Sequence, residues 1–258
     1  MLARRAGALA SRGMLGGAAV AVAVIVVVVI IIISGRGGPP KLPPPASPRP
    51  APSARAVPRS AGVTMLARVL ASSPRYASPG HREPGVVPAT WYQRPSVLPV
   101  LAVRPGWVRV LAQRPAGVAA WIPAADVRLA STPYRIVINV ERTRLTLYDR
   151  GRKVFSAPAG VGSPSDPTPT GHYFAAFFEQ SVGPGYGPFV IVTSARSRAI
   201  SNWDGTGDAA IGIHGPLGAD QAIAAGGARI SHGCIRLELG ALHRLRDIPP
   251  GTPIDINR

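Results

Sequence analysis

The only cysteine of the chain, Cys234, lies in the hexapeptide SHGCIR at residues 231–236, and His214 lies upstream in the tripeptide IHG. A cysteine attacks as its thiolate, and a nearby imidazole favours that form at neutral pH. His232 lies two positions from Cys234 and can point to the same side of a strand or turn. His214 reaches the thiol only if the fold brings its strand alongside. The spacing therefore indicates a cysteine nucleophile with one of two histidines as its base.

Acyl transfer by a cysteine also needs hydrogen-bond donors for the oxyanion that forms at the attacked carbonyl. Gly233 has no side chain, so a carbonyl carbon can approach closely, and the backbone amides of Gly233 and Cys234 are the candidate donors. Arg236 follows Cys234 in the same alternation and could hold a carboxylate or a carbonyl group.

Two other interpretations of these residues compete with the nucleophile. An isolated cysteine is usually a small buried hydrophobic residue. His214, His232 and Cys234 are also conceivable zinc ligands, but the His-Gly-Cys spacing is too tight for easy tetrahedral chelation and no fourth ligand is obvious. A single cysteine excludes an intramolecular disulfide framework and any multi-cysteine metal site.

The hexapeptide SHGCIR with an upstream IHG resembles the signature of the L,D-transpeptidase catalytic domain family of bacterial cell-wall enzymes. Further segments resemble that family's landmarks in the right order, namely TPYRIVINVERTRLTLYDRGR, PTPTGHYF, PGYGPF and GTPIDI. The resemblance covers residues 133–258. It implies a mainly β, sandwich-like catalytic domain with one or two short helices.

The family's chemistry, carried over to this sequence, is acyl transfer on peptidoglycan stem peptides. Cys234 is expected to attack the third-position diamino acid of a tetrapeptide stem, release D-alanine, and pass the acyl group to the side-chain amine of another stem. The resemblance also implies that no metal or cofactor is needed and that carbapenem-type β-lactams acylate Cys234. Water as the acceptor would make the protein an L,D-carboxypeptidase, and a protein lysine is a third possible acceptor. A wall-binding scaffold with a silent catalytic unit is the alternative from another class.

The resemblance also assigns roles to single residues. It makes His214, rather than the nearer His232, the proton donor and acceptor. His232, Ser231 and Gly233 are expected to orient and line the site, and Arg236 to contact the substrate. Tyr186, in PGYGPF, is expected in a lid or oxyanion region. The spacing between His214 and Cys234 is slightly long, which implies an enlarged loop at 216–230.

An apolar stretch at residues 14–34 is long enough to cross a bilayer as a helix, and every residue from Ala18 to Ile33 is Ala, Val or Ile. It predicts a single-pass membrane anchor after a cytoplasmic segment at 1–13. A cleaved signal peptide, which would give a secreted protein, normally has a shorter apolar core and a small-x-small site after it. Arginines flank the stretch on both sides, so charge does not decide the orientation. The location of peptidoglycan predicts that the catalytic domain lies outside.

Between the anchor and the catalytic domain, three segments differ in composition. Residues 35–60 form a Pro-rich linker, with nine prolines in 39–58, and 61–94 is weakly patterned. Residues 95–131 contain short β-type runs separated by Pro-Gly turns and resemble a bacterial SH3-like module.

The net charge of +17 arises mainly in the N-terminal part of the chain, because residues 1–82 hold eleven basic and no acidic side chains. A basic arm beside a mildly basic folded part argues against nucleic-acid binding and suits a chain tethered beside an anionic membrane or wall.

Overall fold

The structure is a computed structural model that describes residues 55–56, 62–180, 182–202 and 207–258. These residues form a mainly β architecture with two large sheets, one separate hairpin and two short α-helices. The segments at 1–13 and 14–34, and the linker at 35–60 except for 55–56, lie outside the described residues. Within the described ranges, no helix has the length and apolar character needed to cross a membrane.

The first ten strands precede the segment with the cell-wall signature. They are β1 (Arg55–Ala56), β2 (Thr64–Val69), β3 (Ser73–Ser78), β4 (His81–Val87), β5 (Thr90–Trp91), β6 (Arg94–Pro95), β7 (Val97–Arg104), β8 (Trp107–Leu111), β9 (Ala119–Pro123) and β10 (Val127–Thr132). A 3-10 helix at Ala124–Asp126 separates the last two.

Eight of these strands form the first sheet, in the order β10-β2-β7-β8-β9-β3-β4 with β1 paired to β7, while β5 and β6 form the separate hairpin. The alternation in β8 is typical, because Val108 and Val110 are buried and Arg109 between them is exposed. Strands β2 to β6 lie in 61–94, for which the sequence indicated no structure. The predicted module at 95–131 supplies β7 to β9 and most of β10, and its SH3-like identity stays a prediction.

The remaining ten strands form the second sheet, in the order β13-β12-β11-β20-β15-β16-β17-β19-β14-β18. They are β11 (Tyr134–Asn139), β12 (Arg144–Asp149), β13 (Arg152–Pro158), β14 (Gly160–Gly162), β15 (Gly171–Gln180), β16 (Phe189–Arg196), β17 (Ala210–His214), β18 (Ala228–Ser231), β19 (Ile235–Arg236) and β20 (Pro253–Asn257). The helices are α1 (Asp220–Ala224) and α2 (Leu239–His243).

The opening hairpin of the second sheet follows its sequence pattern. Ile136 pairs with Leu147 and Ile138 with Leu145 across antiparallel β11 and β12, and all four side chains are buried. This is the period-two burial that the alternation predicts. In the region of α2, Leu242 is fully buried whereas Leu239 is exposed, so the helix packs on one side only.

Two clusters of buried side chains stabilise the described residues. The first core consists of Ala67, Val69, Val87, Trp91, Leu98, Val100, Val108, Val110, Leu111, Ala120, Ile122, Phe174, Ala176 and Phe177. The second core consists of Ile136, Ile138, Val140, Leu145, Leu147, Ala159, Val161, Ala175, Ile191, Ala195, Ile211, Ile213, Ile235, Leu237, Leu242, Leu245, Ile248, Ile254 and Ile256.

Strand β15 contributes to both cores. Phe174 and Ala176 belong to the first core, and Ala175 between them belongs to the second. The pairing of β15 with β16 shifts register between Ala175 and Phe177, which is a β-bulge. Because a bulge interrupts the period-two alternation, Phe177 joins the same side as Phe174 and Phe178 packs against the second core. This one strand therefore attaches the first sheet to the second.

We expect Phe174→Ala to lower the free energy of unfolding by about 3–5 kcal/mol, because it leaves a cavity where β15 fills the first core. Phe174 is 1% exposed. The control is Leu129→Ala at an exposed position, which we expect to change the free energy of unfolding by no more than about 0.5 kcal/mol. Chemical denaturation measures both, and equal losses for the two variants would contradict the shared-core packing.

Candidate active site

The neighbouring strands β17 and β19 bring His214 and the residue before β19, Cys234, together. These strands pair in parallel, with Ile213 opposite Ile235. The Gly212 amide donates a hydrogen bond to Cys234 Sγ at 3.4 Å. A Cβ atom added to Gly212 would lie 3.5 Å from His214 Cδ2. The Cys234 sulfur and the His214 ring are therefore both next to Gly212. Both also line one cavity of about 260 Å³, called the Cys234 cavity below.

The protonation state of His214 follows from its surroundings. Its Nδ1 atom lies 2.8 Å from the Gly215 carbonyl oxygen. A carbonyl only accepts, so Nδ1 carries the proton and Nε2 keeps its lone pair for use as a base. Burial, and to a smaller extent the charge of Arg236, lowers the pKa of His214 to about 4 against the opposing Gly215 hydrogen bond. At neutral pH this imidazole is uncharged.

The Cys234 thiol is in its neutral form in the same cavity. Burial raises its pKa, although the Gly212 hydrogen bond and the Arg236 charge both favour the thiolate. The resting pair is therefore a neutral thiol and a neutral imidazole, not a preformed thiolate–imidazolium pair. Such a pair fits a mechanism in which His214 removes the thiol proton as the sulfur attacks.

Two buried hydroxyl groups fix the backbone around the thiol. Ser231 Oγ donates to the Cys234 carbonyl at 2.6 Å and accepts from the Gly233 amide at 3.1 Å. Thr168 Oγ1 donates to the Gly233 carbonyl at 2.9 Å and accepts from the Gly162 amide at 2.8 Å. Ser231 thus acts on the backbone beside the thiol. Thr168, which the sequence analysis included only within the landmark PTPTGHYF, has an equivalent role.

Gly233 occupies a position that only glycine fits. Its φ of +115° lies in the region that residues with a side chain avoid, and an added Cβ would lie 2.8 Å from Ile211 Cδ1. Its amide is hydrogen-bonded to Ser231 Oγ in this structure. A role for the Gly233 and Cys234 amides as oxyanion donors therefore stays a prediction, and the Gly233 amide would first have to exchange this partner.

His232 differs from His214 in its surroundings. Its side chain is exposed and is not among the residues that line the Cys234 cavity. Its carbonyl oxygen accepts a hydrogen bond from Ser197 Oγ at 3.0 Å. The structure therefore brings His214, and not His232, to the cavity of Cys234. Ser197 is a further support of this loop that no sequence pattern indicated.

Tyr186 packs over the histidine. The ring centroids of Tyr186 and His214 are 4.7 Å apart, and Tyr186 lines the Cys234 cavity. The Gly215 amide donates to the Tyr186 carbonyl at 2.6 Å. A Cβ atom on Gly215 would lie 2.8 Å from that carbonyl oxygen, so the glycine of IHG permits the close approach. A role for Tyr186 in a lid or oxyanion region stays a prediction.

Arg236 is the residue of β19 that lies opposite His214. It pairs with His214 across β17 and β19 and with Gly160 across β14 and β19, and it is not a lining residue. Its Nε atom is buried and has no hydrogen-bond partner among the described residues. In this structure its visible effect is electrostatic, on the pKa values of His214 and Cys234. Contact with a substrate stays a prediction.

The rest of the cavity wall is mostly apolar and was not indicated by the sequence. Besides Cys234, His214 and Tyr186, the lining residues are Tyr92, Phe177, Glu179, Val182, Val190, Val192, Asp208, Ala210 and Gly212. Across the described parts of the chain, no group of three or more His, Cys, Asp or Glu side chains is arranged to hold a metal ion.

Solved structures provide comparisons of shape. An Enterococcus faecium L,D-transpeptidase variant is 20% identical, with 48% of this chain and 49% of that chain covered and a TM-score of 0.35. A Mycobacterium smegmatis L,D-transpeptidase is 22% identical, with 56% and 75% covered and a TM-score of 0.38. L,D-transpeptidase 3 from Mycobacterium tuberculosis, with a faropenem-derived adduct, is 15% identical, with 78% and 83% covered and a TM-score of 0.40. The match thus spans about half the length of the Enterococcus protein.

Sequence comparison identifies the segment that carries the Cys234 cavity. None of the curated proteins matches the chain. Residues 133–256 match the sequence model of the L,D-transpeptidase catalytic domain, YkuD. This range contains β11 to β19 and nearly all of β20, together with His214, Ser231, Gly233 and Cys234. Residues 133–256 of this chain are thus similar to the L,D-transpeptidase catalytic domain family.

Proposed function

We propose that this protein is a membrane-anchored peptidoglycan L,D-transpeptidase that joins the third-position residues of two stem peptides. The observation that carries the proposal is the shared cavity of Cys234 and His214 in a segment similar to this family. A buried thiol beside an imidazole with a free Nε2 lone pair is the arrangement that cysteine acyl transfer needs.

In the first step, Cys234 forms a thioester with the donor stem. The sulfur attacks the carbonyl carbon of the third-position diamino acid while His214 Nε2 takes the thiol proton. The resulting oxyanion accepts hydrogen bonds from backbone amides near Gly233. When the intermediate collapses, the bond to D-alanine breaks, and its amine leaves with the proton from His214.

In the second step, the side-chain amine of another stem attacks the thioester. His214 takes a proton from the attacking amine and returns it to the departing sulfur, which leaves as a thiol. The new amide links the two third residues. Water in place of the amine would give a free carboxylate, which is the L,D-carboxypeptidase outcome.

The parts of the chain before the catalytic domain have proposed roles in location. Residues 14–34 anchor the protein in the cell membrane, with the catalytic domain outside, and 35–60 form an extended spacer at about 3.1 Å per residue where it is proline-rich. The basic arm favours anionic lipid or wall polymer. The SH3-like segment at 95–131 is proposed to be part of a module that supports the catalytic domain.

Replacing the sulfur tests the reaction itself. We expect parent protein incubated with a disaccharide-tetrapeptide to give a cross-linked dimer, and Cys234→Ala to give none, because no other group can form the thioester. Mass spectrometry of the products measures this. Shortened monomers without dimer would assign carboxypeptidase activity, and equal dimer from Cys234→Ala would exclude the proposed chemistry.

Acylation by a carbapenem provides a second, direct test of the nucleophile. We expect intact-mass analysis to show one added carbapenem on the parent and none on Cys234→Ala, because the β-lactam carbonyl is an electrophile of the same kind as the stem carbonyl. A parent that stays unmodified would favour a wall-binding scaffold with a silent catalytic unit.

The pH dependence of acylation tests His214 as the base. A base acts in its deprotonated form, so a pKa of about 4 predicts a carbapenem acylation rate that is nearly constant from pH 6 to 8 and falls only as the pH approaches 4. His214→Gln should lower the plateau by about 10²–10⁴-fold. The exposed His232→Gln is the matched control and should retain most of the rate. A parent rate that rises about tenfold per pH unit between 6 and 8 would instead indicate attack by preformed thiolate.

The mature N-terminus tests the anchor. Protein purified from cell membranes should retain the residues before 14–34, because an uncleaved helix anchors the chain. N-terminal sequencing measures this. A mature chain that begins after residue 34 would show that the protein is secreted.

A further inference from the structure

One residue that lines the Cys234 cavity comes from outside the catalytic domain at 133–256. Tyr92 lines this cavity together with Phe177 and Val182. It lies between β5 and β6, in the part of the chain that the family match does not cover. Its ring centroid is 5.8 Å from that of Phe177, the residue that the bulge in β15 directs toward the first core.

The hairpin holds Tyr92 in an unfavourable backbone conformation. Trp91 pairs with Arg94, so Tyr92 and Gln93 are the two residues of the turn, and their φ angles are +49° and +61°. Such a turn favours Asn and Gly, because left-handed conformations are costly for larger residues. A bulky aromatic residue at this position indicates that its side chain has a function beyond closing the hairpin.

Contacts on both sides of the turn fix the position of Tyr92. The guanidinium carbon of Arg196 lies 4.4 Å from the ring centroid of Trp91, and the Trp91 ring packs edge-on against Phe177 with centroids 5.5 Å apart. Arg94 forms an ion pair with Glu179 at 3.4 Å. The hairpin is therefore attached to β15 and β16 at the residues immediately before and after its turn.

Two further ion pairs, both with Asp208, reinforce this attachment. Asp208, whose side chain is 4% exposed, binds Arg196 at 2.5 Å and Arg114 of the first-sheet region at 2.6 Å. Arg196 is also held by the Ser194 carbonyl at 2.8 Å. Arg196, which packs on Trp91, is thus held by Asp208 and by the Ser194 carbonyl. The hairpin that carries Tyr92 to the cavity packs against this held arginine.

We propose that Tyr92 is a substrate-binding residue that packs against the methylene chain of the third-position diamino acid. The cavity of about 260 Å³ is slightly smaller than a typical small-molecule site of roughly 300–1,000 Å³, so it suits one part of a stem peptide rather than a whole disaccharide-peptide. Its wall of Tyr92, Phe177 and Val182 suits an aliphatic chain. The identity of this ligand rests on the proposed function.

The test compares two adjacent glycine substitutions in the full-length protein. Tyr92→Gly and Gln93→Gly both relieve a left-handed residue in the same turn, but only Tyr92 lines the cavity. We expect Tyr92→Gly to raise the Kd for a tetrapeptide stem, measured in a Cys234→Ala background, by about tenfold, as expected when an apolar contact in a pocket is lost. Gln93→Gly and Tyr92→Phe should stay within about twofold of the parent, because both keep the aromatic ring in the wall.

Two further measurements exclude a collapsed site. Tyr92→Gly should keep a single cooperative thermal transition, since glycine suits this φ and offsets the lost ring contact with Phe177, and it should not slow the alkylation of Cys234 by iodoacetamide, which is too small to need the wall. A Kd within about twofold of the parent value for Tyr92→Gly would overturn the proposal, as would a loss of binding accompanied by loss of the cooperative transition.

Failure of this inference differs from failure of the proposed function. A parent that binds the stem but forms neither dimer nor trimmed product contradicts the transpeptidase, while the Kd ratio of Tyr92→Gly to the Gln93→Gly control still decides the role of Tyr92. A parent that does not bind the stem overturns both.

Discussion

The parallel pairing of β17 with β19 is the constraint on which the active site depends. Ile213 and Ile235 face each other across it, and both are fully buried in the second core. Side chains alternate along a strand, so a slip of one residue would turn Cys234 away from His214 and the cavity. The packing of these isoleucines therefore keeps His214 and Cys234 at the same cavity, although neither isoleucine lines it.

Burial of this pair also sets its resting chemistry. The same apolar surroundings lower the pKa of His214 and raise that of Cys234, so both groups are uncharged before substrate binds. A thiol in this state reacts slowly with oxidants and stray electrophiles, which attack the thiolate. Arg236, adjacent to both groups but outside the cavity lining, moderates the effect on the thiol by favouring its anionic form.

Local patterns indicated the parts of the fold whose partners are near in sequence, such as the β11–β12 hairpin, and the signature indicated the cysteine. Spacing alone favoured His232 as the base, and only the family resemblance preferred His214. The reason is that His214 comes close to Cys234 through the parallel pairing of β17 with β19, and α1 lies between these strands in the chain. The hydrogen bonds of Thr168 and Ser197 join segments distant in sequence and leave no periodic trace. The sequence did not indicate Tyr92 either, since its hairpin begins in the weakly patterned segment at 61–94 and contacts Phe177, a residue distant in sequence.

The sharing of β15 between the two cores has a consequence for how the protein unfolds. Detaching the first sheet would expose Phe174 and Phe177 to water, so the two sheets cannot separate without a large loss of buried apolar area. Sub-global opening of one sheet alone is thus disfavoured, and amide exchange in both should follow the same cooperative transition. Strand β15 thus makes the two sheets unfold as one unit.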